Sequence, residues 1–417
     1  MAKLSEILRE RGYVYQHSSA KLEEITDGPA RTLYLGIDPS ADSLHVGQLQ
    51  AFLILRHFLE SGHKIILLVG GGTGIIGDPG GRDDERALLD RETVTRNGEK
   101  ISLQAKHLLG SADFHLLDNA EWLGKLKMLD FLRDVGKHFS VNAMLQRDFV
   151  KERVKNADQG ISYAEFSYAL LQAYDYLYLN QKYGCDLQVG GSDQWGNIVS
   201  GVDFIRRKEG KTVYGLTWPL LVSKNTGKKF GKSEQGTVWL DSAKTTPFQF
   251  YQFLLNTEDE SVQEYLLKMT MLSQAEIQAA MELHRRDKRE RHAQKLLARE
   301  VTTLVHGAEN AERIELVSQV LFGDSDINEM TDKDWELLAS GAPNATVSIG
   351  MPIVDALVVS QLASSKREAR QFIDDGAVNL NNALVKNAEL ALIDKSFKNG
   401  IALLKRGKRN VAVLRLD

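Results

Sequence analysis

Two short segments, far apart in the chain, carry residue types suited to phosphate chemistry. In the first, Asp38 to Gln48, His45 and Gln48 stand three positions apart and share one face of a helix, while Gly47 lets a ligand approach the backbone. The second, Lys229 to Ser233 (Lys-Phe-Gly-Lys-Ser), places two ammonium groups and a hydroxyl within five residues. Such groups stabilise the charge that builds on a triphosphate during attack at its α-phosphorus. The pair predicts that ATP is used as an adenylating agent.

The first segment resembles the HIGH signature and the second the KMSKS signature of class I aminoacyl-tRNA synthetases. The Lys-Phe-Gly-Lys-Ser sequence of the second segment is similar to that of bacterial-type tyrosyl-tRNA synthetases. Gln48 replaces the final histidine of HIGH, and Ala51 stands where the family often has a hydroxyl residue. Neither departure removes a charge that the chemistry needs, and the Gln48 amide can still donate a hydrogen bond to the ribose. Further segments resemble blocks of the family, in its order and spacing: Thr32 to Pro39, Gly74 to Pro79, Phe166 to Asp175 and Gln188 to Gly196.

The resemblance covers essentially the whole chain and implies an activity in two steps. A tyrosine–tRNA ligase activates L-tyrosine with ATP, giving tyrosyl-AMP and pyrophosphate, and then transfers the tyrosine to the 3′-terminal adenosine of tRNA(Tyr). The substrate's own carboxylate is ionised at neutral pH and needs no general base, so positioning and cations must supply the catalysis. Mg²⁺ is expected to arrive with ATP and to be held mainly by its phosphates, with no tightly bound protein metal site.

The resemblance also implies which residues act on ATP. Lys229, Lys232 and Ser233 are expected on one side of the phosphates, and Ser40 and His45 on the other, at the first turn of a helix. Simple exposure to solvent is the alternative for the loop that carries Lys229 and Lys232. Arg82 and Arg86, which follow a glycine-rich segment, are expected to form a second cationic arm, and surface ion pairs are the alternative for them. The implied catalytic set is Ser40, His45, Gln48, Arg82, Arg86, Lys229, Lys232 and Ser233. The implied ATP-binding set is Gly36, Asp38, His45, Gln48, Gly191, Asp193 and Lys232.

The tyrosine pocket follows from the same resemblance. Tyr34 and Asp175 are expected around the substrate phenol, so a substrate without the hydroxyl would leave both polar groups buried and unpaired. Tyr168 and Gln172, four positions apart on one helix face, are expected to hold the ammonium group together with Asp78, and core packing is the alternative for Tyr168. The implied tyrosine-binding set is Tyr34, Asp78, Tyr168, Gln172, Asp175 and Gln194.

One glycine pattern suggests a different enzyme. Gly72 to Gly77 satisfies the G-x-G-x-x-G pattern of a dinucleotide-binding turn and follows an apolar strand. Asp78-Pro79-Gly80-Gly81 comes next, where such a turn should open a long helix. Proline and paired glycines predict a loop instead, which disfavours a nicotinamide-dependent dehydrogenase.

Short apolar segments alternate with helical stretches through the first half of the chain, which predicts an α/β fold with a parallel sheet covered on both faces. Ligands bind such sheets beyond the carboxyl ends of the strands.

The chain is predicted to divide into a Rossmann-like catalytic domain over residues 1–222, the KMSKS-like loop and its connection over 223–246, an α-helical domain over 247–322, a linker over 323–350 and a small α+β domain over 351–417. The resemblance adds a helical insertion near residues 120 to 165 that forms a homodimer.

The last domain resembles the RNA-binding module of the ribosomal small-subunit S-four type. Residues from 351 onward carry eleven Lys and Arg against seven Asp and Glu, in a chain whose net charge is −4. A solvated surface is the alternative reading of that local excess. The RNA-binding residues predicted on its basic helix are Ser365, Lys366, Arg367 and Arg370.

The sequence also bears on the compartment in which the protein works. The N-terminal segment has no long apolar run and Cys185 is the only cysteine, so a cytoplasmic protein without membrane association is expected.

A tryptophanyl relative would share the adenylating fold, although Tyr34 with Asp175 suits a phenol better than an indole. A catalytically silent RNA-binding protein is the rival from another class, and intact His45, Lys229 and Lys232 argue against it.

Overall fold

In a computed structural model, the chain divides into two compact units. Residues 1–244 and 258–288 form the first unit, and residues 245–257 and 289–417 form the second. The structure describes residues 2–80, 89–110, 113–155, 160–222, 227, 230–233, 236–323, 325–407 and 410–417. Within those ranges, the side chains of residues 148, 149, 152, 155, 232 and 233 are not described.

The strands and helices take the following bounds in chain order. The strands are β1 (Gln16–His17), β2 (Thr32–Ile37), β3 (Lys64–Val69), β4 (His115–Asp118), β5 (Cys185–Gly191), β6 (Tyr214–Trp218), β7 (Lys232–Ser233), β8 (Gly236–Thr237), β9 (Asn344–Val347), β10 (Val378–Leu380), β11 (Ala383–Leu384), β12 (Ile401–Arg406) and β13 (Asn410–Leu416). The helices are α1 (Leu4–Glu10), α2 (Glu23–Thr26), α3 (Leu49–Glu60), α4 (Arg91–Leu109), α5 (Ala120–Leu123), α6 (Met128–Asp134), α7 (Val141–Leu145), α8 (Asp148–Lys155), α9 (Tyr163–Tyr183), α10 (Trp195–Glu209), α11 (Pro247–Leu255), α12 (Asp259–Met269), α13 (Gln274–Arg286), α14 (His292–His306), α15 (Ala308–Phe322), α16 (Asp332–Gly341), α17 (Ile353–Val359) and α18 (Lys366–Asp374).

A six-stranded sheet in the order β1-β6-β5-β2-β3-β4 organises the first unit. Strands β2 to β6 pair in parallel, and only the short β1 runs antiparallel to its neighbour β6. The interior strand β3, between β2 and β4, is an almost unbroken apolar run, as expected for a parallel strand that is buried on both faces. The parallel α/β fold expected of the catalytic domain is therefore confirmed.

Helix α9 carries three of the residues predicted to bind tyrosine. Its first turn is closed by a capping box between Ser162 and Glu165, and it ends at Gly184, which adopts a left-handed conformation with φ 65°. Tyr168, Gln172 and Asp175 follow one another at spacings of four and three residues. Their side chains therefore lie along one face of the helix, which lines the cleft described below.

Strand β6 differs from its predicted position. The apolar run Trp218 to Val222 predicts a strand at those residues, but β6 begins at Tyr214 and ends at Trp218. Pro219 explains the difference, because proline has no N–H group to donate to a neighbouring strand.

The second unit joins helices to a small sheet. Its strands follow the order β11-β10-β12-β13-β9, and apolar side chains from β9, β12, β13, α17 and α18 form one core. The predicted linker over 323–350 is corrected here, because this segment contains helix α16 and strand β9. Trp335 and Leu338 are buried on α16, and β9 pairs in parallel with β13. Resemblance of this sheet to the S-four type stays a prediction.

Across the described ranges, no helix combines enough length with enough apolar character to cross a membrane.

Candidate active site

A cleft of about 380 Å³ in the first unit brings most of the predicted site residues together. It lies at the carboxyl ends of β2 and β5, where a parallel sheet is expected to bind its ligand. The predicted residues that line it are Tyr34, Gly36, Asp38, Ser40, His45, Gln48, Asp78, Tyr168, Gln172, Asp175, Gly191, Asp193 and Gln194. Arg82, Arg86 and Lys229, with the side chains of Lys232 and Ser233, lie outside the described residues.

The inner end of the cleft holds a phenol and a carboxylate. Tyr34 is 1% exposed, and its hydroxyl finds no hydrogen-bond partner in the described part of the chain. Asp175 is 2% exposed, and burial raises the pKa of its carboxyl to about 7. The same burial, with the nearby Asp175 charge, raises the pKa of Tyr34. An unpaired buried hydroxyl beside an acceptor is a site that a ligand hydroxyl could complete.

Two residues that sequence reasoning missed orient Asp175. Trp122 donates from Nε1 to one Asp175 oxygen at 2.7 Å, and Asn119 donates from Nδ2 to the other at 2.9 Å. The second Asn119 amide hydrogen bond goes to the Thr73 hydroxyl at 3.0 Å. Asn119 directly follows β4, and the rule that ligands meet the carboxyl ends of parallel strands could have identified it.

Carboxylates and amides line the middle of the cleft. Asp78 accepts from the Gln194 amide at 2.5 Å, and the Tyr168 hydroxyl donates to Asp38 at 2.8 Å. Gln172 donates to Gln194 Oε1 at 3.3 Å, while its own Oε1 is buried and meets no donor among the described residues. Two carboxylates and an unpaired carbonyl oxygen suit a cation with several N–H donors, such as an ammonium group.

The turn before α3 fixes the tautomer of His45. Its Nδ1 accepts from the Gly47 N–H at 3.1 Å, so in the neutral ring the proton resides on Nε2. The His45 backbone N–H donates to Gln48 Oε1 at 3.0 Å, which closes a capping box around the turn. His45 therefore offers an N–H donor at the start of a helix, where the backbone also favours anions.

The two signature segments adjoin each other, as their pairing in the sequence predicts. A Cβ on Gly47 would stand 2.7 Å from the Phe230 carbonyl oxygen, so only glycine fits beside that backbone. Gly231 has φ +92°, and a Cβ there would meet Val46 at 3.0 Å. The Val46 N–H also donates to the Val238 carbonyl at 2.9 Å, which ties the turn that carries His45 to the chain just after β8.

A separate basic surface lies on helix α18 of the second unit. Ser365 caps the helix by accepting from the Glu368 N–H at 3.3 Å. Arg367 and Arg370 are exposed, whereas Lys366 forms an ion pair with Asp355 at 2.6 Å while remaining 62% exposed. The predicted RNA-binding residues thus share one short helix, and the charge of Lys366 is partly compensated.

In the ranges that the structure describes, no group of three or more His, Cys, Asp or Glu side chains is arranged to hold a metal ion.

Two protein-family models match the chain. Residues 27–323 match the model described as tRNA synthetases class I (W and Y), and residues 334–414 match the tyrosine–tRNA ligase SYY-like C-terminal domain.

Relatives of known name match over the full length. The chain is 45% identical to a tyrosine–tRNA ligase of Roseiflexus castenholzii, with 100% of each chain covered. It is 44% identical to a tyrosine–tRNA ligase of Chromobacterium violaceum, with 99% of this chain and 98% of the relative covered. The crystal structure of a C-terminally truncated Aspergillus nidulans mitochondrial tyrosyl-tRNA synthetase superposes with a TM-score of 0.71 at 32% identity, over 77% of this chain and 95% of that one.

Replacing Asp175 by Asn should change how the free energy of unfolding depends on pH. With a pKa of about 7 in the folded protein, Asp175 binds a proton that the unfolded chain releases at about pH 4. The wild type should therefore lose stability relative to Asp175→Asn between about pH 5 and about pH 7, by roughly 1.4 kcal/mol per pH unit. Urea unfolding across this range without ligand measures the difference. A difference that stays constant with pH would mean that Asp175 is already ionised at pH 5.

Proposed function

The chain belongs to the class I tRNA synthetases of the tryptophan and tyrosine type, and from that premise we propose that it is a tyrosine–tRNA ligase. It activates L-tyrosine with ATP to tyrosyl-AMP and pyrophosphate, and then transfers the tyrosine to the 3′-terminal adenosine of tRNA(Tyr). The observation that carries this assignment is the unpaired Tyr34 hydroxyl buried beside the Asp175 carboxylate. Since tRNA charging supplies translation, we place the reaction in the cytoplasm.

Tyrosine binds with its phenol at the inner end of the cleft. Its hydroxyl donates to Asp175 and pairs with Tyr34, which offsets the cost of burying both groups. The ammonium group meets Asp78, Tyr168 and Gln172, and Gln194 supports this set through its hydrogen bond to Asp78. Both ends of the amino acid are then fixed, which directs its carboxylate toward the ATP side of the cleft.

Adenylation needs positioned charge and no general base. The tyrosine carboxylate attacks the α-phosphorus, the bond from that phosphorus to the bridging oxygen breaks, and pyrophosphate leaves. His45 donates from Nε2 to the phosphates together with Ser40, and Asp193 and Gln48 hold the ribose. Gly36, Asp38 and Gly191 line the nucleotide site, where they allow close approach of the backbone or accept hydrogen bonds.

The cationic side chains expected on the other side of the triphosphate are not among those that the structure describes. We assign Lys229, Lys232 and Ser233 to the β- and γ-phosphates, and Arg82 with Arg86 to a second cationic arm. The contact between Phe230 and Gly47 supports the first assignment, because Phe230 and Gly231, in the middle of the signature, lie against the turn that carries His45. Mg²⁺ reaches the site with ATP and is held mainly by its phosphates.

Replacing Tyr34 by Phe tests the phenol assignment, and Tyr176→Phe is its matched control. Tyr34→Phe removes a hydroxyl that would pair with tyrosine, so selectivity for tyrosine over phenylalanine should fall about tenfold. The Tyr176 hydroxyl donates instead to the Tyr214 carbonyl at 2.8 Å, so that variant should keep its selectivity. ATP–pyrophosphate exchange with each amino acid measures both. Equal selectivity in the two variants would remove Tyr34 from the phenol site.

We propose that the chain forms a homodimer through helices α6 and α7. Their exposed apolar side chains support this assignment, since surfaces of this kind mark interfaces in folded proteins. The exposed fractions are 75% for Met128, 79% for Leu129, 40% for Leu132, 58% for Val141 and 38% for Leu145.

Leu129→Glu should dissociate the dimer, because it places a charge in an apolar contact. Leu103→Glu is the control, since Leu103 is 67% exposed on helix α4, outside these two helices. Sedimentation equilibrium should give twice the chain mass of 46.6 kDa for the wild type and the control, and a lighter species for Leu129→Glu. A wild type that sediments at the chain mass contradicts the proposal.

We propose that α18 contacts tRNA through Ser365, Lys366, Arg367 and Arg370. Exposed arginines one turn apart on a helix can meet phosphates of one backbone, and Ser365 can donate to a phosphate oxygen. The ion pair of Lys366 with Asp355 implies that this lysine contributes less than the arginines.

Arg370→Ala should weaken tRNA binding and lower the slope of log K against log salt by about one unit. Lys366→Ala should have the smaller effect of the two. Filter binding over a salt series measures affinity, and tRNA-independent pyrophosphate exchange should stay at the wild-type rate in both variants. Wild-type tRNA affinity in Arg370→Ala would exclude this helix from the contact.

A further inference from the structure

Tyr265 on helix α12 contacts Val222 and Phe230, which stand on either side of the stretch 223–229 that leads into the Lys-Phe-Gly-Lys-Ser signature. Its ring centroid lies 4.4 Å from that of Phe230, at an interplanar angle of 52°. Its hydroxyl donates to the Val222 carbonyl at 3.4 Å. Val222 precedes residues 223–229 and Phe230 follows them, so one side chain touches the described residues at both ends of that stretch.

Helix α12 is itself held at its C-terminal end. The Arg11 guanidinium donates to the carbonyls of Leu267 and Thr270, each at 2.7 Å, and Arg11 is only 7% exposed. The Tyr13 hydroxyl donates to the Lys268 carbonyl at 3.0 Å. A buried cation on the last carbonyls of a helix satisfies groups that the helix leaves unpaired and opposes the negative end of its dipole. Tyr265 therefore projects from a fixed helix.

Phe230 is held from its other side by the turn that contains His45. Its carbonyl oxygen lies against Gly47, where a Cβ would approach to 2.7 Å, and its N–H donates to the Leu221 carbonyl at 2.8 Å. Phe230 is 8% exposed and lines the cleft, whereas Tyr265 is not among the lining residues. Phe230 is therefore held by the ring of Tyr265, by the turn that contains His45, and by the hydrogen bond from its N–H to the Leu221 carbonyl.

We propose that Tyr265 is a positioning residue for the ATP half of the reaction. It does not touch substrate. It acts through Phe230 and Val222, whose placement sets where the backbone of Phe230 and Gly231 meets the turn that carries His45. The proposal rests on the proposed function, since it assigns that backbone to ATP. Tyr265 lies outside every segment that resembles a family block, and only the contact geometry singles it out.

The proposal implies that ATP and tyrosine kinetics should separate. Tyr265 contacts Phe230 and Val222. The inner end of the cleft is built instead from Tyr34 and from Asp175, which Asn119 and Trp122 hold by hydrogen bonds. Losing the Tyr265 ring should therefore change the KM for ATP and kcat, while the KM for tyrosine stays near its wild-type value. A general loss of packing would instead alter the parameters of both substrates.

The experiment is ATP–pyrophosphate exchange with tyrosine, varying each substrate at saturation of the other. Tyr265→Leu removes the ring and the hydroxyl but keeps apolar volume, and it should raise the KM for ATP about tenfold. Tyr265→Phe keeps the ring contact and should restore that KM to within about threefold of wild type. Tyr251→Leu, at an equally buried tyrosine of the second unit, controls for loss of a buried ring. Thermal unfolding of each variant monitors folding.

The outcomes separate the proposal from the function it rests on. An active wild type together with unchanged ATP kinetics in Tyr265→Leu overturns the positioning role alone. Equal changes in the KM values for ATP and tyrosine also overturn it, because they indicate a general structural loss. A wild type that exchanges pyrophosphate with no amino acid overturns the proposed function, and this role with it.

Discussion

Burial of the Asp175 carboxylate is the constraint on which the proposed tyrosine site depends. A carboxylate without water is costly, and the raised pKa of Asp175 reflects that cost. Asn119 and Trp122 offset part of it with two hydrogen bonds, and both come from the turn and short helix that follow β4. The parallel sheet therefore determines which polar groups face Asp175, because it places the end of β4, with Asn119 and Trp122 after it, next to helix α9.

The ATP side depends on close backbone packing. Gly47 and Gly231 let the segment around Phe230 lie against the turn that carries His45, where larger residues would collide or strain the backbone. His45 accepts one hydrogen bond from this turn and thereby keeps its other nitrogen as a donor. The charge stabilisation that we propose on this side thus relies on backbone geometry as well as on the assigned cationic side chains, as catalysis by preorganised donors requires.

Sequence reasoning predicted the sheet, helix α3 and most of the cleft lining, because each depends on local patterns and on segments resembling one family. It failed where distant contacts decide the outcome. Asn119 and Trp122 form no motif, since their role comes from a partner on α9. The segment 323–350 has weak periodicity, yet Trp335 and Leu338 are buried there and β9 gains a strand partner. The S-four likeness and the individual residue roles stay predictions.

ATP–pyrophosphate exchange with tyrosine, phenylalanine and tryptophan in parallel tests the central claim most directly, because it reads the activation step without tRNA. The account predicts exchange with tyrosine and little with the other two, since only tyrosine can satisfy both Tyr34 and Asp175. Preferred exchange with tryptophan would preserve the adenylating mechanism but contradict the phenol site. Exchange with none of the three would contradict the enzyme assignment itself.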